Sequence, residues 1–392
     1  MRGDRLNLGV SRQPCRVAVP TTIYLRMTTD TTRRRFLGQS AGLLAAGYLG
    51  LPELRSLSAL NTTSGGAPLR VLILGGTGFI GPHMVRRAIA GGHKITLFNR
   101  GRSNADLFPD VETLTGDRDG KLDALRDRKW DVVIDNSGYV PRHVRDSAQL
   151  LAPNVGRYVF VSTGSVYAPG QERYDEDSPL LKAPEPASEE VNKYYGELKV
   201  LAEEAVRQAY PERHTILRLH IVAGPGDPTH RFTYWPVRID KGGEVIAPLP
   251  KDAPAQHIDV RDLADFALRC SEQGHSGIYN VAGPAAAPTP LSTYLEEIRA
   301  GVKSSATFVW VDPAFLAEQK VQFPMVMPAA MRGLARVSSA RAVAKGLTFR
   351  PIRETAADTL AWFKSAPAKE TEGLKIDLER DARVLSAWKA KG

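Results

Sequence analysis

Residues 69–74, LRVLIL, lead directly into Gly75-Gly76-Thr77-Gly78-Phe79-Ile80-Gly81 and then into MVRRAIAGG. The short apolar run has the character of a strand buried on both faces, and the spacing after the glycines is that of a helix. Strand, glycine turn and helix in that order leave few folds open. Gly75 permits the tight turn, Gly78 lets the backbone approach a pyrophosphate, and Gly81 lets helix and strand pack closely. The unpaired N–H groups at the helix start suit an anion. Thr77, Phe79 and Ile80 therefore join the three glycines in an expected dinucleotide site.

Further strands follow in alternation with helices: residues 94–98, 111–114, 131–134, 157–161 and 215–219, with 144–151 the clearest helical stretch. This alternation predicts an α/β fold, a Rossmann-type doubly wound parallel sheet. Beyond it, residues 291–302, 306–311 and 354–364 predict helix, strand and helix, forming a smaller C-terminal substrate-binding lobe. The expected organisation is an N-terminal extension over 1–66 and a nucleotide-binding core with its catalytic pair over 67–215. The last core strands and the lobe follow over 216–365, then a charged helical tail over 366–392. No clean linker divides 67–392, which reads as one unit with two lobes.

The chain carries a formal charge of +9 and a hydrophobic fraction of 43%. Residues 1–66 hold nine arginines against three acids, so six of the nine positive charges lie in the extension. The near-balanced remainder has no concentrated basic face, which argues against nucleic acid as a partner. Of the two cysteines, Cys15 lies in the extension and Cys270 stands alone, so neither a disulfide framework nor a metal site is expected.

Within the extension, Thr32-Arg33-Arg34-Arg35-Phe36-Leu37 matches a twin-arginine export pattern, and the apolar residues 41–51 suit a signal core too short to span a bilayer. Periplasmic or exported localisation is expected, and cytoplasmic if the signal does not function. Ser56-Leu57-Ser58 is a poor cleavage site, which leaves room for retention as a membrane anchor. Met27, just ahead of the signal, reads as the true start of translation.

The residue closing the second strand reports on the cofactor, an acid there favouring NAD and basic neighbours favouring NADP. Here it is Asn99, followed by Arg100 and Arg102, whose guanidiniums could pair with a phosphate. The expectation is NADP or NAD, with NADP slightly favoured. Asp117, after the third strand, is placed to accept from an adenine amino group or to serve a turn.

The fifth strand ends in VFVSTGSVYAP, and NKYYGELKVLAEE follows. Tyr195 and Lys199 are four residues apart, one helical turn, and so share a face. A phenol with a pKa near 10 needs about three units of depression, roughly 4 kcal/mol, to serve as a base near neutrality. An adjacent ammonium supplies such a field. Thr163 or Ser165 can donate to the substrate oxygen.

These motifs together resemble the extended short-chain dehydrogenase/reductase family, also called the NAD-dependent epimerase/dehydratase family. GGTGFIG (75–81), STGSVY (162–167), YGELK (195–199), LRLHIVAGPGD (217–227), HIDVRDLA (257–264) and YNVAG (279–283) carry the likeness, in family order over roughly residues 70–365. The resemblance implies Tyr195 as acid/base and Lys199 as the residue that binds the nicotinamide ribose and lowers the phenol's pKa. It also implies Thr163 as the catalytic hydroxyl, with Ser165 auxiliary. Two departures, Asn99 and the fourth-strand sequence VVIDNSGYV, resemble an atypical branch with epimerase-like members and some RNA-binding relatives.

The acidic, proline-rich residues 171–190 read either as a loop covering the site or as a solvated linker. In GPGDPTHRFTYW (224–235), Phe232 and Trp235 are candidates to stack on a substrate, with Arg218 as a further contact. His257 reads as structural. The expected activity is hydride transfer on a hydroxyl of a sugar or sugar nucleotide, epimerase or dehydratase in type. The alternatives are an NADP-dependent carbonyl reductase and a non-catalytic nucleotide- or RNA-binding protein. A homodimer through a helix pair is expected by family analogy alone. An exported enzyme lacks a cofactor pool, which favours a redox-neutral cycle with tightly held nucleotide.

Overall fold

A computed structural model describes residues 67–182, 188–283 and 288–391 of the chain. The twin-arginine stretch, the apolar segment after it, the cleavage candidate, Met27 and Cys15 lie outside the described residues. Strand β1 (Arg70–Leu74) lies inside a seven-stranded sheet with β2 (Lys94–Asn99), β3 (Glu112–Thr115), β4 (Trp130–Asp135), β5 (Val155–Thr163) and β6 (His214–Leu219). The seventh strand is Gly277–Val281. All pairings are parallel, in the order Gly277–Val281, β6, β5, β4, β1, β2, β3. The order reverses between β1 and β4, and ligands of such sheets bind at that reversal, beyond the carboxyl ends of the strands.

The period of two along β1 divides the core. Val71 and Ile73 face α1 (Ile80–Ala90) and the Val260–Gln273 helix, packing with Met84, Val85, Leu263 and Ala267. Leu72 and Leu74 face α2 (Pro141–Leu151) and α3 (Val191–Ala209), packing with Val144, Ala148, Ala202 and Val206. Both faces are covered, so the strands read as continuous apolar runs.

A separate hydrophobic cluster forms the lobe. Parallel strands Glu244–Pro248 and Thr307–Val311 pack with the Tyr234–Asp240, Leu291–Gly301 and Ile352–Ser365 helices. The charged tail has a definite place. Its Leu378–Lys389 helix packs Val384 and Leu385 against Ile246 and Val311, and Asp381 accepts from Arg238 at 2.8 Å with both side chains buried. Lobe and sheet interleave along the chain, because the Gly277–Val281 strand returns to β6 after the first lobe elements.

Residues 171–182 are pinned to the body. Tyr174 is buried, its N–H donates to the Arg336 carbonyl, and the Asn280 N–H donates to Glu176. Residues 183–187 of the same segment lie outside the described residues. Among the described residues, no helix is long and apolar enough to cross a membrane, and no cluster of His, Cys, Asp and Glu could hold a metal ion.

Candidate active site

The glycine turn sits between β1 and α1. Gly75 adopts φ +89°, a left-handed conformation that favours glycine, and its N–H donates to the Phe98 carbonyl of β2. A Cβ on Gly81 would lie 2.5 Å from the Gly75 carbonyl oxygen, so helix and turn meet there only without a side chain. A Cβ on Gly78 would meet nothing within 4 Å, which leaves that backbone open to a ligand. No side chain caps the α1 N-terminus, and no acid occupies its first turn. Thr77 is buried, and Phe79 and Ile80 pack partly against the core. These features suit an anion at the positive end of the helix.

The edge beyond β2 is tied to the same turn, since the Asn104 side-chain amide donates to the Thr77 carbonyl at 3.1 Å. Asn99 accepts from the Gly101 N–H at 2.9 Å, while its own buried amide nitrogen has no partner. A buried donor without an acceptor is costly, and a ribose hydroxyl or phosphate oxygen would satisfy it. Arg100 and Arg102 are exposed beside it. Asp117 is half-buried and accepts from the Asp119 N–H within a turn closed by its own backbone pairing with Lys121.

The catalytic candidates converge at the end of β5. Thr163 caps the short turn Gly164–Val166, accepting from the Ser165 N–H at 3.2 Å, and its hydroxyl donates to that of Ser165 at the same distance. Helix α3 is kinked at Tyr194 (φ −123°, ψ 33°), so regular helix starts at Tyr195. A Cβ on the next residue, Gly196, would lie 2.2 Å from the Ser165 carbonyl oxygen, so this turn of α3 lies directly on the strand end. Tyr195 is half-buried, with its ring 6.4 Å from that of Tyr139.

One turn on, Lys199 is 3% exposed. Its ammonium donates to the carbonyls of Gly138 at 2.9 Å and Val161 at 2.6 Å, and lies 4.0 Å from the Phe160 ring centroid. Burial pulls its pKa down to about 7, while Asp135 and Glu203 favour the charged form and Arg118 opposes it. Lys199 is thus fixed between the ends of β4 and β5, held by backbone rather than by a side-chain partner.

Three substrate candidates belong to the interior instead. Arg218 donates to Glu203 at 2.8 Å with both groups buried, and also to the Tyr167 hydroxyl and the Glu176 carbonyl. Phe232 and Trp235 are wholly buried in the lobe. Phe232 lies against His257 and Tyr294, and the Trp235 indole donates to the Pro324 carbonyl. Apolar burial took these aromatics into the lobe core, away from any exposed sugar face. His257 is structural, hydrogen-bonded through Nδ1 to Tyr294 at 2.9 Å.

The strand-to-helix segment after β4 contributes what the motifs did not flag. Asp135, Gly138 and Tyr139 surround Lys199, and Gly196 sets the approach of α3. The unusual VVIDNSGYV run marked the segment, but its sequence did not say that it faces the catalytic lysine.

Residues 71–282 match the model of the NAD dependent epimerase/dehydratase family. Over 238 residues the chain is 27% identical to the chloroplast stem-loop binding protein of 41 kDa b from Arabidopsis thaliana, covering 55% of this chain and 58% of that protein. It is 30% identical over 141 residues to a UDP-glucose 4-epimerase of Neisseria meningitidis, covering 28% of this chain and 41% of that one. The chain therefore spans less than two thirds of either curated relative. In three dimensions it is similar to the Bordetella bronchiseptica enzyme WbmH, solved with NAD+, at a TM-score of 0.57 and 18% identity, over 76% of this chain and all of that one. At that identity the likeness establishes the shared fold.

Proposed function

The chain belongs to the NAD dependent epimerase/dehydratase family, and from that premise we propose that it is a nicotinamide-dependent enzyme acting on a hydroxyl of a sugar or sugar-nucleotide substrate. The observation that carries this reading is the convergence of Thr163, Tyr195 and Lys199 at the end of β5. The chemistry needs all three there.

Bound nicotinamide would supply the acceptor and donor of hydride. The glycine turn and the α1 N-terminus would hold the pyrophosphate, and Asn99, Arg100 and Arg102 the adenosine end. Lys199 would donate its remaining N–H to the ribose, since two of three donors are already committed to Gly138 and Val161. Tyr195 would accept the proton of the substrate hydroxyl as hydride departs, and return it as hydride comes back. Its place at the start of regular helix, where the dipole is positive, favours the phenolate. Thr163 would donate to the reacting oxygen, its orientation fixed by Ser165.

The cycle would be redox-neutral, which agrees with the proposal of twin-arginine export and a cofactor retained through it. NADP is the proposed preference, although WbmH was solved with NAD+. A second reading, RNA binding without catalysis, has one observation in its favour, the 27% identity to the stem-loop binding protein.

Tyr195→Phe separates the two. Turnover of UDP-hexoses should fall by a factor of about 10² to 10⁴, the scale of general acid–base catalysis, with nucleotide affinity retained. Wild-type protein that binds a structured RNA but neither NAD nor NADP would overturn the enzyme reading.

A further inference from the structure

At the carboxyl end of β4, Asp135 is wholly buried. One carboxylate oxygen accepts from Arg118 at 2.6 Å and from the Ser137 N–H at 3.1 Å, and the other from the Tyr158 hydroxyl at 2.7 Å. Arg118 is itself buried and also donates to Ser147 and to the His143 carbonyl. A buried carboxylate held on both oxygens is a fixed negative charge.

This charge and the Lys199 ammonium flank one residue. A Cβ built on Gly138 would lie 3.1 Å from Oδ2 of Asp135 and 2.5 Å from the Phe160 ring. Lys199 donates to the carbonyl of the same Gly138 and sits on the same Phe160 ring. A glycine is therefore required there, and it lets a carboxylate and an ammonium approach across a single backbone unit. The other charged groups around the lysine are already engaged. Glu203, one turn along α3, accepts from Nε and Nη2 of the Arg218 guanidinium and from the Ser162 hydroxyl. Arg118 contributes an opposing positive charge from the far side of Asp135. The Tyr139 ring, whose phenol burial holds above its ordinary pKa, has its centroid 5.9 Å from the ammonium, and the nearest groups of β5 are the Val161 carbonyl and Phe160.

We infer that Asp135 is a positioning residue for the active site, its clamped carboxylate being the counter-charge that keeps the Lys199 ammonium charged in a buried place. The inference rests on Lys199 as the ribose-binding lysine, yet its test needs neither substrate nor cofactor. Removing the carboxylate leaves the ammonium among aromatic rings and carbonyls, with only the Arg218-paired Glu203 still favouring its charge, and burial then drives it toward the neutral form.

The test is a pH titration of the full chain labelled with ¹³C at lysine Cε, the Lys199 signal being assigned by its loss in Lys199→Arg. In the wild type one lysine should titrate near neutrality. In Asp135→Asn that midpoint should fall by about one pH unit or more, a tenfold change in the charged fraction. Asp135→Asn leaves Arg118 buried without its anion, so Asp135→Asn with Arg118→Met removes the pair together and tests the same point without a lone charge. The midpoint should fall there too, by less. A Lys199 midpoint unmoved in both variants would overturn the inference, whereas turnover unchanged with the midpoint lowered would count against the proposed chemistry alone.

Discussion

At the scale of the residue, three buried arginines are each paired with a buried carboxylate. Arg118 with Asp135, Arg218 with Glu203 and Arg238 with Asp381 are each within 2.8 Å and largely removed from water. Breaking such a pair leaves an uncompensated charge and costs more than the pair itself contributes. Arg100 and Arg102 contrast with them, being exposed beside the unpartnered amide of Asn99. If they receive a phosphate, the Arg100→Ala, Arg102→Ala double variant should weaken NADP by about tenfold or more and leave NAD nearly unchanged. Calorimetric titration with both nucleotides reads this directly, and equal losses for the two would remove the proposed preference.

At the scale of the element, close backbone approach decides the geometry of the site. Helix α1 meets the glycine turn at Gly81, and α3 meets the end of β5 at Gly196. Gly81→Ala places a methyl 2.5 Å from a carbonyl oxygen and 2.6 Å from the Gly76 carbonyl carbon. Neither atom can swing aside as a side chain would. The variant should lose about 1 to 3 kcal/mol of stability, the range for overpacking, and weaken NAD(P) as the helix start is pushed from the turn. Denaturant unfolding together with nucleotide titration checks both parts; full affinity in a folded Gly81→Ala chain would mean the turn does not hold the pyrophosphate. Gly75 and Gly81 were legible in the sequence because the motif fixes their spacing. Gly138 and Gly196 were not, because their need arises from contacts between segments far apart in the chain.

At the scale of the whole molecule, two imidazoles are held neutral in the fold, half-buried His220 just after β6 and buried His257. His220 and His257 are held down to about pH 4, in both cases chiefly by burial. Each folded pKa lies below the unfolded value near 6.5, so the unfolded chain binds more protons between those limits. Their contribution to stability is therefore complete above about pH 6.5 and is lost as pH falls toward 4. Urea midpoints measured from pH 7 to pH 4.5 should drop, the two imidazoles taking up close to two protons on unfolding while Asp262, whose carboxyl burial raises to about 6, releases one below that pH. His257→Gln should flatten part of that slope, and an identical slope would show that the imidazole at 257 is not the titrating group.

The sequence by itself determined the alternating parallel sheet, the glycine turn and the spacing of Tyr195 and Lys199, because period-two and period-3.6 patterns and a tight turn are local properties of a chain. The expected strand at 131–134 fell within β4, whose last residue is Asp135. Tertiary structure alone decided which polar and aromatic residues face a ligand and which vanish inside. Arg218 looked like a contact until Glu203 claimed it, and Phe232 and Trp235 until the lobe closed over them. Burial and ion pairing depend on what other segments bring to the same place. For that reason the surroundings of Lys199, drawn from β3–β4, β4, β5 and α3, emerged only when the strands were laid side by side.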